Sequence, residues 1–182
     1  MAMDHFMEEV VVKRNKSFNR FLYMLSWVIL IVAAIAAIWG FNILTMSISN
    51  GFSWPTLLFT LVSAGIAVYT FFFHDKLLTE YEYTFTNGAL DFAEVYNNKK
   101  RKSLGSLNVR NVEAFGKVSS EHFKRYLNMP DIKRMNWFLN RDAELYYFFF
   151  SKDMQKKMII FEPSEELVGY IRQYLSRGIY QE

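Results

Sequence analysis

The stretch "YEYTFTNGALDFAEVY", residues 81–96, decides how the second half of this chain folds. Tyr81, Tyr83 and Phe85 alternate with Glu82, Thr84 and Thr86, the period of a strand with one apolar and one polar face. Asn87-Gly88 follows, and both residues tolerate the positive φ that a two-residue hairpin turn demands. "ALDFAEVY" then reads as the returning strand. "NNKKRK" at 97–102 reads as the next turn, carrying Lys99, Lys100, Arg101 and Lys102 side by side.

The meander continues downstream. "KSLGSL" at 102–107 and "VEAFGKV" at 112–118 have the composition of two further strands. Residues 119–140 show no clean period and read as helical before Pro130. "ELYYFFF" at 144–150 and "KKMIIF" at 156–161 frame the turn "SKDMQ" as a second strand pair. A helix closes the chain from Ser164 to Arg177. Ser164 is its N-cap, Glu165 and Glu166 complement the positive end of the dipole, and Leu167, Val168, Ile171 and Leu175 form one apolar stripe. Gly178 terminates it.

Upstream the chain changes character. From Phe21 to Phe73 it contains no Asp, Glu, Lys or Arg. Roughly 20 helical residues cross the ~30 Å core of a bilayer, so this stretch suffices for two crossings. "TMSISNGFSWP" interrupts it with Asn50-Gly51 and Pro55. The expected organisation is a cytoplasmic tail at 1–20, transmembrane helices at 21–44 and 54–73, an extracytoplasmic loop at 45–53, and a cytoplasmic domain at 76–182. A cleaved signal peptide fits less well, because the apolar run is too long and a second span follows. Lys13, Arg14, Lys16 and Arg20 precede the first span and Lys76 follows the second, while the loop carries no cation. The positive-inside rule then puts both termini in the cytoplasm at the cell membrane. Tyr23, Trp27, Trp39 and Trp54 lie where interfacial anchors belong. Ala33, Ala37, Gly40, Ser63 and Ala67 would let the two helices approach closely, or seam a homodimer.

Residues 75–182 carry 17 Lys or Arg against 15 Asp or Glu, a soluble composition. A strand meander ended by one amphipathic helix is the order of pleckstrin-homology-like domains. "YEYTFTNGALDF…NKKRKSLGSLNVRNVEAF" also resembles bacterial members of that class in residue pattern, over about 80–178. The whole chain resembles a group of two-span membrane proteins of clostridia and related Gram-positive bacteria. These share the signatures matched here at 80–91, 100–102 and 161–165, the last reading "FEPSE". The resemblance implies an α+β membrane protein: a transmembrane α-hairpin followed by a pleckstrin-homology-like antiparallel β domain with a C-terminal helix. It implies no activity. Phosphoinositide-binding relatives usually place their cations around the first hairpin loop. Here that loop is Asn87-Gly88, so no specific inositide pocket is implied.

The search for chemistry returns little. Cysteine is absent, which removes disulfides, thiolate metal sites and Cys nucleophiles. His5, His74 and His122 are scattered, and no HExxH, glycine-rich phosphate loop or Gly-x-Ser-x-Gly elbow occurs. His74-Asp75 has the makings of a dyad, but a junction at the lipid boundary explains both residues more simply. The aromatic run Tyr146 to Phe150 reads as a core strand, not a base-stacking platform, and no nucleic acid is expected. Neither a cofactor nor a metal is implied. Lys99, Lys100, Arg101 and Lys102 are the candidate site. If the first strand rises from the membrane, the second returns to it, and the basic turn meets anionic lipid at about 1 kcal/mol per cation. A solvated turn is the other reading. The function expected is that of a non-enzymatic adaptor or scaffold at the inner leaflet, with a protein partner still to be found. An accessory subunit of a membrane transporter or enzyme, with a pocket at the domain–membrane boundary, is the alternative.

Overall fold

The computed structural model describes residues 5–47 and 51–181. The chain divides into two units: a helix pair at 15–78, and a β-rich domain built from residues up to Arg14 together with 79 onward.

In the helix pair, α1 runs Lys16–Ser47 and α2 runs Trp54–Phe73, followed by a single 3-10 stretch, His74–Leu78. α2 has the limits that composition predicts, with Pro55 in its first turn where a missing N–H costs nothing. α1 is longer at both ends than the apolar run, since nothing after Asn15 breaks it. Residues 48–50 of the expected loop, Asn50 included, lie outside the described residues. Side chains on these helices are arranged inside out. Ser26, Ala33 and Gly40, spaced by seven, are the buried residues of α1, and Thr60 and Ser63 those of α2. A Cβ on Gly40 would stand 2.3 Å from Thr60 Oγ1, so the helices pack at glycine distance here.

The β-rich domain has two sheets. The first has the order β1-β2-β3-β4, from Phe6–Val11, Thr79–Thr86, Ala89–Tyr96 and Lys100–Asn108. The second has the order β6-β8-β7-β5-β9, from Lys133–Trp137, Gln155–Phe161, Tyr146–Lys152, Ala114–Lys117 and Tyr180–Gln181. A short helix α3, Glu121–Leu127, and the C-terminal α4, Glu165–Tyr174, complete it. Tyr83, Phe85, Leu90 and Phe92 of the first sheet meet Phe115, Phe148, Ile159 and Phe161 of the second in one core. Leu167, Val168 and Ile171 of α4 close it. Each fully buried side chain of this size is worth about 1.5–3 kcal/mol. The run Tyr146 to Phe150 is buried throughout because β7 is covered on both faces. Its even residues enter this core, and Tyr147 and Phe149 join Phe123 of α3 in a second cluster.

The 87–88 hairpin forms as expected, with φ of 50° at Asn87 and 94° at Gly88. A side chain at Gly88 would also meet the Tyr174 ring at 2.8 Å.

Four expectations need correction. Residues 6–11, placed in a tail at 1–20, form β1, which pairs antiparallel with β2 from Phe6 opposite Thr86 to Val11 opposite Tyr81. The domain therefore does not simply follow the helices at 76; the helix pair interrupts it. The domain is also not purely antiparallel, because β6 pairs with β8 and β9 with β5 in parallel. The turn after β3 holds only Asn97, Asn98 and Lys99, with Lys100 to Lys102 already in β4, since two left-handed asparagines suffice to reverse the chain. Finally, α4 ends at Tyr174, and Leu175 is extended, so that the chain can turn at Gly178 and place β9 beside β5.

Candidate functional site

Strand geometry divides the four cations. All are exposed, but neighbours along a strand point to opposite faces. Lys100 stands opposite Tyr96 and Lys102 opposite Glu94, on one face. Arg101 stands opposite Val95 on the other, where its guanidinium lies 2.9 Å from the mostly buried Glu82 carboxylate. The run thus presents no single cationic face. Thr79, the first residue of β2 after the helix pair, pairs with Tyr96 at the head of the basic turn.

A second constellation was not anticipated. Glu9, Asn140, Glu162 and Ser164 bolt the N-terminal strand into the domain. Glu9 on β1 accepts hydrogen bonds from Ser164 N at 2.9 and 3.0 Å and from Ser164 Oγ at 2.9 Å, while Ser164 Oγ itself caps Leu167 N of α4. Burial pushes the Glu9 carboxyl above its ordinary pKa, against the lowering effect of the Ser164 bonds, and the nearby Glu162 and Glu166 charges push the same way. Asn140 is buried and imitates a strand partner. Its Nδ2 donates to Val12 O at 3.0 Å and its Oδ1 accepts from Arg14 N at 2.9 Å. Glu162 in turn accepts from Asn140 N and Nδ2 at 3.0 and 2.8 Å. Beyond it, Arg14 pairs with Asp142. At the other end of β1, His5 N donates to Asn87 Oδ1 at 3.0 Å and His5 Nδ1 meets Tyr174 OH at 3.0 Å. The segment 5–14 is therefore strapped along its whole length.

The "FEPSE" signature acquires a physical meaning here. Phe161 is core, Glu162 holds Asn140, and Ser164 serves both Glu9 and α4. That signature was the signal in the sequence, but it pointed to no partner because Glu9 and Asn140 are far away in the chain.

The remaining chemistry-bearing groups are accounted for structurally. His74 caps α2: its Nδ1 donates to Phe71 O at 2.7 Å, and its ring lies 5.0 Å from that of Trp27. Asp75 Oδ1 is 3.4 Å from its Nε2, and the ring is buried among those of Tyr23, Trp27 and Phe71. A groove of about 570 Å³ beside α4 is lined by four charged residues, Lys117, Glu144, Glu165 and Arg172, of which all but Glu165 have partners among the described residues. Lys117 pairs with Glu144, whose carboxylate raises the lysine pKa, and Arg172 stacks 4.2 Å over the Tyr180 ring. Among the described residues, no three His, Asp or Glu side chains gather as a metal site would require.

The model of one protein family, described as a bacterial PH-like domain (DUF6106), matches residues 3–181. The chain belongs to that family. No curated protein and no solved structure matches it. The match extends from β1 to β9 and so covers the strand that precedes the helix pair.

Proposed function

We propose that this PH-like protein is a non-enzymatic, two-span protein of the cell membrane that holds its domain at the cytoplasmic face as an adaptor or scaffold. The observation that carries the reading is the place of the helix pair, inserted between two paired strands of one sheet. With β1 before the helices and β2 after them in a single folded unit, the chain must cross an even number of times. α1 and α2 are each long and apolar enough to cross, and their large side chains, such as Ile35, Leu61 and Phe72, face outward. Both flanks carry cations and the connecting loop carries none, which favours a cytoplasmic domain. A domain tethered on both sides of its first strand pair stays at the membrane surface. Presentation of a docking face there is the simplest use of such a tether. The anionic-lipid role of the basic segment belongs to the same reading. Lys99, Lys100 and Lys102 supply it at about 1 kcal/mol each, while Arg101 is partly spent on Glu82.

The natural lack of cysteine makes the test direct. Phe52→Cys should react with a membrane-impermeant maleimide on intact cells, and Ser176→Cys only after lysis. The reverse pattern would place the domain outside, and labelling of both on intact cells would remove the helix pair from the membrane.

A further inference from the structure

A small slot opens where the first sheet's edge strand β4 faces the second sheet's edge strand β6. Its charge follows from strand periodicity. On β6, Trp137 and Met135 point into the core, so Lys133 is the next inward residue. On β8, Phe161 and Ile159 point inward, and Lys157 follows. On β7, Phe148 and Phe150 point inward, and Lys152 follows. Register brings the columns level, with Lys133 opposite Lys157 and Lys157 opposite Phe150. Three adjacent strands thus each end their apolar column with a lysine at the mouth of the sandwich, where hydrophobic alternation would otherwise continue. Across the mouth, β4 bulges after the Phe92–Gly105 pair, and a Cβ on Gly105 would lie 3.7 Å from the Trp137 ring.

All three lysines line a cavity of about 200 Å³ floored by Met135, Trp137 and Ile159, and no carboxylate lines it. Lys157 is the most enclosed; among the described residues its one ion partner is Asp153, exposed and 3.5 Å away. Lys133 and Lys152 have no ion partner among the described residues. Converging like charges repel, and the repulsion is relieved by an anion that accepts from all three ammonium groups at once. The cavity is too small for a protein segment, and three donors on three strands suit a tetrahedral oxyanion better than a planar carboxylate.

We infer that this slot binds a compact phosphate monoester, through Lys133, Lys152 and Lys157 over the Trp137 ring. The ester could be a free organic phosphate or the headgroup of an anionic lipid. The site shares no residue with the basic segment at 99–102 and does not depend on the membrane orientation proposed above.

The probe is sn-glycerol 3-phosphate, titrated calorimetrically into the full chain in phosphatidylcholine nanodiscs, with glycerol as the uncharged control. Lys133 and Lys152 are exposed, so K133Q/K152Q leaves the core untouched. It should weaken binding by at least about tenfold, the order expected for two charge-assisted hydrogen bonds. R134Q/K156Q removes the same charge from β6 and β8 at positions that alternate away from the slot, and should change affinity less than about twofold. No binding by the native protein overturns the proposal, as does equal loss in the two double variants. K133R/K152R, which keeps the charge, should retain binding, and its failure to do so would also count against the site. The source is then read by repeating the native titration in nanodiscs of matched surface charge. Weaker apparent affinity with phosphatidic acid than with phosphatidylglycerol identifies a lipid headgroup as the occupant, and equal affinity identifies a free solute.

Discussion

The helix pair and the PH-like domain use the same kinds of side chain in opposite directions. On α1 and α2 the large apolar residues face out, with Trp39 73% and Phe72 68% exposed, and the buried positions are Ser26, Ala33, Gly40, Thr60 and Ser63. In the domain Phe85, Phe115, Phe148 and Phe161 are wholly enclosed, and the surface is charged. The difference teaches that composition alone does not say which residues make an interior. On the two-span reading proposed above, helices that meet in hydrocarbon gain nothing from hiding leucine and much from close backbone approach, whereas two sheets meeting in water gain most from hiding aromatic area.

The sharpest way to break this comparison is a pair of truncations. Phe148 stacks on Phe161 at 5.1 Å and on Phe115 at 4.7 Å, so Phe148→Ala should destabilise the domain by about 3–5 kcal/mol. Ile35→Ala, on the outer face of α1, should fall within about 0.5 kcal/mol. Thermal unfolding in nanodiscs measures both, and similar losses at the two sites would show that the helix exterior is buried after all.

A smaller effect tests how firmly β1 belongs to the domain it precedes. Glu9→Ala strands the Ser164 amide and loosens the start of α4, at a cost of about 1–3 kcal/mol. The pH dependence sharpens this. The Glu9 carboxyl is held above its unfolded value chiefly by burial, so its favourable contribution is complete below the ordinary carboxylate range. It is lost as pH rises through the raised value. Glu9→Gln should therefore gain on the native protein as pH rises across that interval, and a gap between the two that stays constant or narrows would refute the assignment. Least of all, Arg101→Gln should cost about 1 kcal/mol, because its guanidinium is 57% exposed and water screens that side of the pair with Glu82. Chemical denaturation with matched m-values would detect a larger loss, which would mean that β4 depends on this pair.

What could be read from the residues, and what could not, follows contact distance along the chain. The 79–96 hairpin is written locally, in alternation and in Asn87-Gly88, and so is the turn at Asp153-Met154, whose φ values are 56° and 57°. The helix pair is legible from length and charge. β1 was hidden because Glu9 occupies an inward position, which spoils its alternation, and because its partner lies beyond both helices. β6 and β9 are short and pair in parallel with strands far away in the chain, so neither has a turn signal. The basic run was legible as charge but not as geometry: whether Lys100 to Lys102 share a face depends on where the turn ends, a matter of one residue. The lysines of the slot were invisible for the opposite reason. They are scattered in the chain, and only the register of three strands makes them neighbours.

The interruption of the first sheet has a consequence for synthesis. Val11 must pair with Tyr81, which leaves the ribosome about seventy residues later. At 5–20 residues per second, β1 waits roughly 4–14 s with its edge unsatisfied. During that wait both helices emerge. With the hairpin in the orientation proposed, β2 reaches β1 only if the second helix has brought the chain back across the bilayer. A hairpin that stalls half-inserted leaves the two strands in different compartments, with no sheet, no anchor for Ser164 and an open core. On the two-span reading proposed above, closure of this sheet therefore reports correct insertion, because a misinserted chain cannot complete the fold.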